Sequence, residues 1–391
     1  MKIVHCVESY SPAVGGMQEV VKQLSERLVR MGHEVTVFTR VHEDRTFETL
    51  NGVIIKTFQI EGNPKEAVTD EEKRYVHTLL NVEADVMTFF AAQQWATDLA
   101  LPVLQQIKAK KVSVPTGYSG LYKEEFKLYF EDMRKWIHGY DMNVYLSNDY
   151  RDINFARDNG VKHITLIPNG AAADEFLPES KLDVRKELGI PKDDFLILHV
   201  GSYTGDKGHR EAVDLFFRSR IKRGTLLMIG NKYGYFKRQY IKHPLLGLRF
   251  LYHYFFTRKR IIFGFYSRPF TVAAYKQADL FLFPSNIECS PIVLFECAAA
   301  KLPFLSSDAG NSREISEWTG GGKIMPCTKN ASGYSYVKIK EGARMLNQLF
   351  EDGALREQMA ARAFETWKQK YSWEVIAAEY EKMYQQLIAS A

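Results

Sequence analysis

The chain has 391 residues, with 52 Lys and Arg against 47 Asp and Glu, a formal charge of +5, and 46% hydrophobic against 25% charged residues. Those fractions exclude a disordered or fibrous polypeptide, and the length suits two domains rather than one core. The four cysteines, Cys6, Cys289, Cys297 and Cys327, form no CxxC and no Cys/His pair at zinc spacing, which argues against structural zinc and suits a reducing compartment.

Residues 3–7 read as a strand, and Gly15-Gly16 as a loop. Residues 17–31 read as a helix, with Val20, Val21, Leu24, Leu28 and Met31 at 3–4 spacing and Gly32 as its stop. Strands are predicted at 35–39, 53–58, 86–89, 111–114 and 143–146, a βαβ alternation that argues a parallel sheet wrapped by helices. Near 164–168 the pattern resets at the turn signal Asn169-Gly170, and a loose stretch runs to Pro191. A second series follows: strand 196–200, loop 201–208, a helix, strands 226–229, 261–263 and 280–283, and a helix over 292–301. The chain ends in a helical pattern over 373–388. The predicted domains are 1–168 plus 373–391, and 169–372.

No run of 18 apolar residues occurs, so no membrane-spanning helix is predicted, and the N-terminus lacks a signal-peptide pattern, which reads as cytoplasmic. One segment stands apart. Between Lys232 and Arg260 lie eight Lys and Arg, no acid and nine aromatics. An anionic membrane surface suits that mixture and places the protein on the inner face of the cell membrane. A folded hairpin or helix with its aromatics in the core is the plain alternative. Nucleic acid is disfavoured, because no nucleic-acid motif accompanies the patch.

Glu288 and Glu296 flank the stretch 289–295, between a predicted strand and a predicted helix. Glu288 is thereby expected in a loop at the carboxyl end of a parallel strand, where open α/β sheets bind ligands. Glu296 is expected about one turn into the helix, facing the same crevice, as a solvent-side carboxylate whose loss the fold tolerates. The helix N-terminus offers free N–H groups to a diphosphate, and the carboxylates suit sugar hydroxyls. On spacing alone, both glutamates read equally as solvated surface charges.

In its context the stretch resembles the Glu-(seven residues)-Glu motif of glycosyltransferase family 4, retaining enzymes of the GT-B fold. Gly15-Gly16 resembles the family's N-terminal glycine loop, and Ile167-Pro168-Asn169-Gly170 its interdomain segment. The loop 201–208 with Lys207-Gly208 resembles its phosphate-binding loop, 307–311 with Glu314-Ile315 the segment after the motif, and Tyr371-Ser372-Trp373 the start of its terminal crossing helix. The resemblance implies an α/β GT-B protein with two Rossmann-like, doubly wound parallel-sheet domains facing across a cleft. It implies retaining hexosyl transfer from a nucleotide diphosphate sugar, UDP favoured over GDP, to a glycan or lipid-linked acceptor.

By position, the resemblance gives Glu288 the donor-sugar hydroxyls, Glu296 the ribose hydroxyls, and Lys207 the charge on the departing diphosphate. The backbone of Ser290, Pro291 and Ile292 lines sugar and diphosphate, Gly15 and Gly16 approach the phosphates, and Gly264-Phe265 borders the base. Ser202 stands where the family often has Arg, Thr116 where it often has His, and Cys289-Ser290-Pro291 where it usually has Gly-Phe-Gly. Thr116 and Tyr118 are the acceptor-side candidates, with packing in the core an equal reading for Tyr118. No Asp-x-Asp pair, P-loop, GxGxxG, HExxH or GxSxG occurs, so no metal and no cofactor is expected. A non-catalytic GT-B binding subunit and a GT-B nucleotide-sugar epimerase are the alternatives.

Overall fold

The structure, a computed structural model, describes residues 1–62, 68–231 and 244–390. It divides into two compact units, Met1–Asn169 with Trp373–Ala391, and Gly170–Ser372.

The first unit is built on eight strands: β1 (Lys2–Cys6), β2 (Glu34–Arg40), β3 (Thr49–Leu50), β4 (Val53–Phe58), β5 (Val86–Phe90), β6 (Lys110–Val114), β7 (Met142–Tyr145) and β8 (Ile164–Leu166). Their order is β3-β4-β2-β1-β5-β6-β7-β8, parallel throughout except for the antiparallel β3–β4 pair. β5 is buried at every position, the pattern of a strand covered on both faces. The helix Gly16–Arg30 ends as its sequence demands: Gly32 takes φ 89°, and the His33 amide reaches back to the Leu28 carbonyl at 3.1 Å. The last helix, Trp373–Ala389, returns to this unit. Glu374 meets the buried Arg27 at 2.7 Å, Glu381 meets His33 at 2.8 Å, and the Tyr384 hydroxyl lies 2.6 Å from that of Thr88.

The second unit carries β9 (Phe195–Val200), β10 (Gly224–Ile229), β11 (Lys259–Gly264), β12 (Leu280–Phe283), β13 (Phe304–Ser306) and β14 (Gly322–Ile324), all parallel, in the order β11-β10-β9-β12-β13-β14. A separate antiparallel hairpin pairs β15 (Cys327–Lys329) with β16 (Ser335–Val337). The order in which strands are added reverses between β9 and β12, and in the first unit between β1 and β5. Open α/β sheets bind ligands outside the carboxyl ends of the strands at such a switch point. The segment 164–168, read from sequence as the end of a pattern, adds β8 to the first sheet. Among the described residues no helix is long and apolar enough to cross a membrane.

Candidate functional site

The carboxyl ends of β9 and β12 open into the loops 201–208 and 284–291. The two loops are sewn together: Asn286 N donates to Asp206 O at 2.8 Å, and a Cβ on Gly208, whose φ is 70°, would run into the carbonyl of Pro284. Only glycine allows that approach at that backbone angle. The seam brings Lys207 and Glu288 together, with Nζ donating to Oε1 at 2.7 Å, and Ser285 Oγ donating to the same oxygen at 2.7 Å. The Glu288 side chain is 10% exposed and that of Lys207 30%, so the pair is sheltered yet reachable. A third loop closes behind it. Gly310, at φ 57°, lies where a Cβ would strike the Cys289 carbonyl, and Asn311 N donates to that carbonyl at 2.9 Å.

The helix Ile292–Ala299 begins one residue past Pro291. Its first amides, beside Ser290 and Pro291, point out of the N-terminal turn, a natural anion seat. Ser202 lies partly exposed in the loop after β9, and Gly264 ends β11 at the same end of the sheet, with Phe265 beyond it, 66% exposed. Gly201 N bonds Ile229 O and Gly230 N bonds Gly264 O, which ties these loop starts side by side.

Glu296 departs from expectation. It is a helical residue with only 4% of its side chain exposed, and its Oε1 lies 2.7 Å from an Nη of Arg268. Arg268, which opens the helix Arg268–Gln277, also forks onto Glu175 through Nε at 3.1 and 3.2 Å. The expectation of a solvent-side carboxylate is therefore wrong: packing beside Arg268 buries it. Arg268 carried no motif and was missed. So were His199 and His209 beside Lys207, whose rings lie 4.5 Å apart. Burial pushes His199 down to about 4 and His209 to about 2, so both imidazoles are neutral near pH 7. Lys207 thus stands as a cation among uncharged rings.

In the first unit, Gly15 caps the helix Gly16–Arg30, so Gly16, read from sequence as loop, is the helix's first residue. Thr116 lies in a loop after β6, with φ 57°. Ala91 and Gln93, at 62° and 63° in the loop after neighbouring β5, share that left-handed backbone, which costs non-glycine residues about 1–2 kcal/mol each. The loops hold each other in place: Ala91 N bonds Val114 O, Ala92 N bonds Pro115 O, and Gly120 N donates to Gln93 Oε1 at 2.9 Å. Tyr118 is not available to an acceptor. It is 2% exposed, packed edge-on against Phe130 and Phe155 in the core.

Asp98, unmarked in the sequence, braces these loops. Its Oδ1 accepts from Gln93 N at 3.2 Å and from the Tyr129 hydroxyl at 2.8 Å. Burial raises its carboxyl to about 7, against these hydrogen bonds, which lower it. A carboxyl raised on folding binds more protons in the native state, so its stabilising contribution is full near pH 4 and is lost as pH rises through about 7. Asp98→Asn keeps the acceptor without the charge. It should be more stable than wild type at pH 8, by about 2–4 kcal/mol, with the advantage vanishing near pH 4. Denaturant titrations at the two pH values check this; a difference independent of pH would refute it.

Residues 180–366 match the family "Glycosyl transferases group 1", and residues 14–175 match "Glycosyltransferase Family 4". An uncharacterized glycosyltransferase of Methanocaldococcus jannaschii is 26% identical, covering 98% of both chains. The alpha-monoglucosyldiacylglycerol synthase of Acholeplasma laidlawii is 24% identical over 78% of this chain and 80% of its own. Among solved structures, Anabaena HepE in complex with UDP and glucose superposes with a TM-score of 0.74 at 17% identity, covering 99% of this chain and all of that one. Two parallel-sheet units of switch-point topology, each matched by its own sequence family, leave one assignment: the chain belongs to the family 4 glycosyltransferases of the GT-B fold.

Proposed function

We propose that this glycosyltransferase moves a hexosyl unit, with retention of anomeric configuration, from a nucleotide diphosphate sugar to a glycan or lipid-linked acceptor in cell-envelope polysaccharide or glycolipid synthesis. The observation that carries the reading is the Lys207–Glu288 pair at the β9/β12 switch point, beside the N-terminus of the Ile292 helix. A cation and helix N-terminal amides there match a donor's diphosphate, and the carboxylate matches its sugar hydroxyls. UDP is favoured over GDP because HepE was solved with UDP and glucose, and a lipid-linked acceptor because a relative is named as a glycolipid synthase.

In this reading Glu288 accepts hydrogen bonds from sugar hydroxyls and fixes the ring, while Lys207 turns to the diphosphate. The bond from the anomeric carbon to the phosphate oxygen breaks, and the acceptor oxygen bonds to that carbon on the same face. The departing phosphate oxygen takes the acceptor's proton. Lys207 supplies the countercharge, so no metal is invoked, in keeping with the lack of an Asp-x-Asp pair. Glu296 contacts the ribose, Ser202 the phosphates, Gly264 and Phe265 the base, and Thr116 the acceptor. The place of work is the cytoplasmic face of the cell membrane.

Calorimetry on Glu288→Gln tests the assignment. The variant should bind UDP within about threefold of wild type but lose at least tenfold for the complete UDP-hexose, because its partner is the sugar. Equal losses for both ligands would remove Glu288 from the sugar, and absence of nucleotide release from any UDP-hexose would remove the transferase reading.

A further inference from the structure

Residues 248–257 of the helix Pro244–Thr257 show an apolar face to water. Three positions pin it to the helix His209–Arg218 and the sheet edge. Arg249 meets Asp214 at 2.6 Å and covers the Phe217 ring at 5.0 Å; Phe250 packs edge-on against Phe217 at 5.2 Å; His253 stacks on the same ring at 4.2 Å. Other sides carry Leu248, Leu251, Tyr252, Tyr254, Phe255 and Phe256, each between 52 and 76% exposed. Tyr252 and Phe256, one turn apart, stack at 5.1 Å, so these rings form a preformed surface. Apolar clusters of this size rarely stay in water without a purpose.

Along the sequence the charge around this helix is of one sign, although Asp193, Asp194 and Asp214 reach Arg223, Arg260 and Arg249 in space. From residue 215 to residue 278 the sequence has no Asp or Glu and fourteen Lys and Arg. The part 232–243 of the basic stretch lies outside the described residues. Of the cations that can be placed, not all face outward. Lys259 is buried and donates to the carbonyls of Phe216, Phe217 and Ser219 at 2.7, 3.1 and 2.7 Å, closing the end of the His209 helix, and burial lowers it to about 8. Arg260 reaches Gly189 O at 3.0 Å and Asp194 at 3.5 Å. Of the cations expected to attach this segment to lipid, Lys259 is buried and so unavailable, and Arg249 and Arg260 are engaged by Asp214 and Asp194. Arg220, Lys222 and Arg258 are exposed, and the Arg258 carbonyl pairs with the amide of Gly224 at 3.4 Å, which sets Arg258 next to that strand's leading cations.

We propose that the outer face of residues 248–257 docks on an anionic lipid bilayer, Leu248, Leu251 and the aromatic rings entering the headgroup boundary while Arg220, Lys222 and Arg258 meet lipid phosphates. This deepens the reading of a lipid-linked acceptor by naming the element that holds the enzyme at the acceptor's surface. The burial of Lys259 makes apolar insertion, rather than a charge cluster, the main force.

Co-sedimentation with vesicles of phosphatidylcholine, with and without phosphatidylglycerol, tests it. Wild type should partition at least tenfold better onto the anionic vesicles, and 1 M salt should weaken but not abolish binding. Leu251→Ser/Phe255→Ser/Phe256→Ser should lose at least tenfold, and Lys222→Ser/Arg258→Ser should lose the preference for anionic lipid. A Phe255→Trp variant should shift its added emission to the blue on vesicles. No vesicle binding, an undiminished triple variant, or a concentration-dependent dimer in place of vesicle binding would overturn the proposal. Nucleotide release from soluble UDP-hexose without vesicles separates the two readings, since the triple variant should keep it even where docking is lost.

Discussion

Lys207→Ala is expected to lower turnover by about 10²–10³-fold, with a much smaller rise in the Michaelis constant for the donor. The asymmetry follows from when the charge is needed. In the resting protein Lys207 is satisfied by Glu288 at 2.7 Å, so exchanging that partner for a ground-state phosphate gains little. As the bond to the anomeric carbon breaks, negative charge accumulates on the departing oxygen, and a fixed cation among neutral imidazoles then gains most. His199 and His209 are held neutral by burial, so they cannot substitute for the missing ammonium near pH 7. Steady-state kinetics on Lys207→Ala, with Lys207→Arg as the charge-keeping control, decide the matter. A variant that loses donor affinity and keeps its turnover would reduce Lys207 to a binding residue. Because Lys207 and Glu288 share a bond, the Lys207→Ala/Glu288→Gln double variant should lose less than the product of the single losses.

The strands were legible because parallel sheets covered on both faces demand unbroken apolar runs. β9, β10 and β12 are such runs, buried almost throughout, and 53–58 and 280–283 were read to the residue. β3, β13 and β14 escaped because two or three residues carry no period to read. The two loops bearing Lys207 and Glu288 were legible through their spacing and the glycine beside Lys207, which records backbone approach. Arg268 was not, because its partners Glu175 and Glu296 arrive from separate helices and only packing brings them together. Lys259 fails the same way: composition counts a cation in a basic run, but only the strand it opens decides that it points at orphaned helix carbonyls. Tyr118 follows Thr116 and Gly117, both at positive φ, in a loop, yet neighbouring aromatics claim it for the core.

Glu296→Ala is expected to destabilise the second unit by about 2–3 kcal/mol, where a solvent-side carboxylate would cost almost nothing. The carboxylate is nearly sealed from water and faces Arg268, which is 37% exposed and keeps Glu175 as a second partner, so the loss belongs at or below the low end for a buried pair. Glu296→Gln preserves volume and one oxygen, and should cost clearly less. The comparison also isolates binding. If the carboxylate serves the ribose as well as Arg268, Glu296→Gln should lose at least tenfold in UDP affinity while its denaturation midpoint moves little, since a hydrogen bond to a charged group contributes about 1.5–3 kcal/mol. Arg268→Met, which removes the partner and leaves the carboxylate, should destabilise without tightening UDP. Calorimetry and denaturant titration on the three variants give the answer. Unchanged UDP affinity in Glu296→Gln, with Glu296→Ala still destabilised, would make Glu296 a packing residue that ties the Ile292 helix to the Arg268 helix and leave ribose recognition to other groups at the switch point.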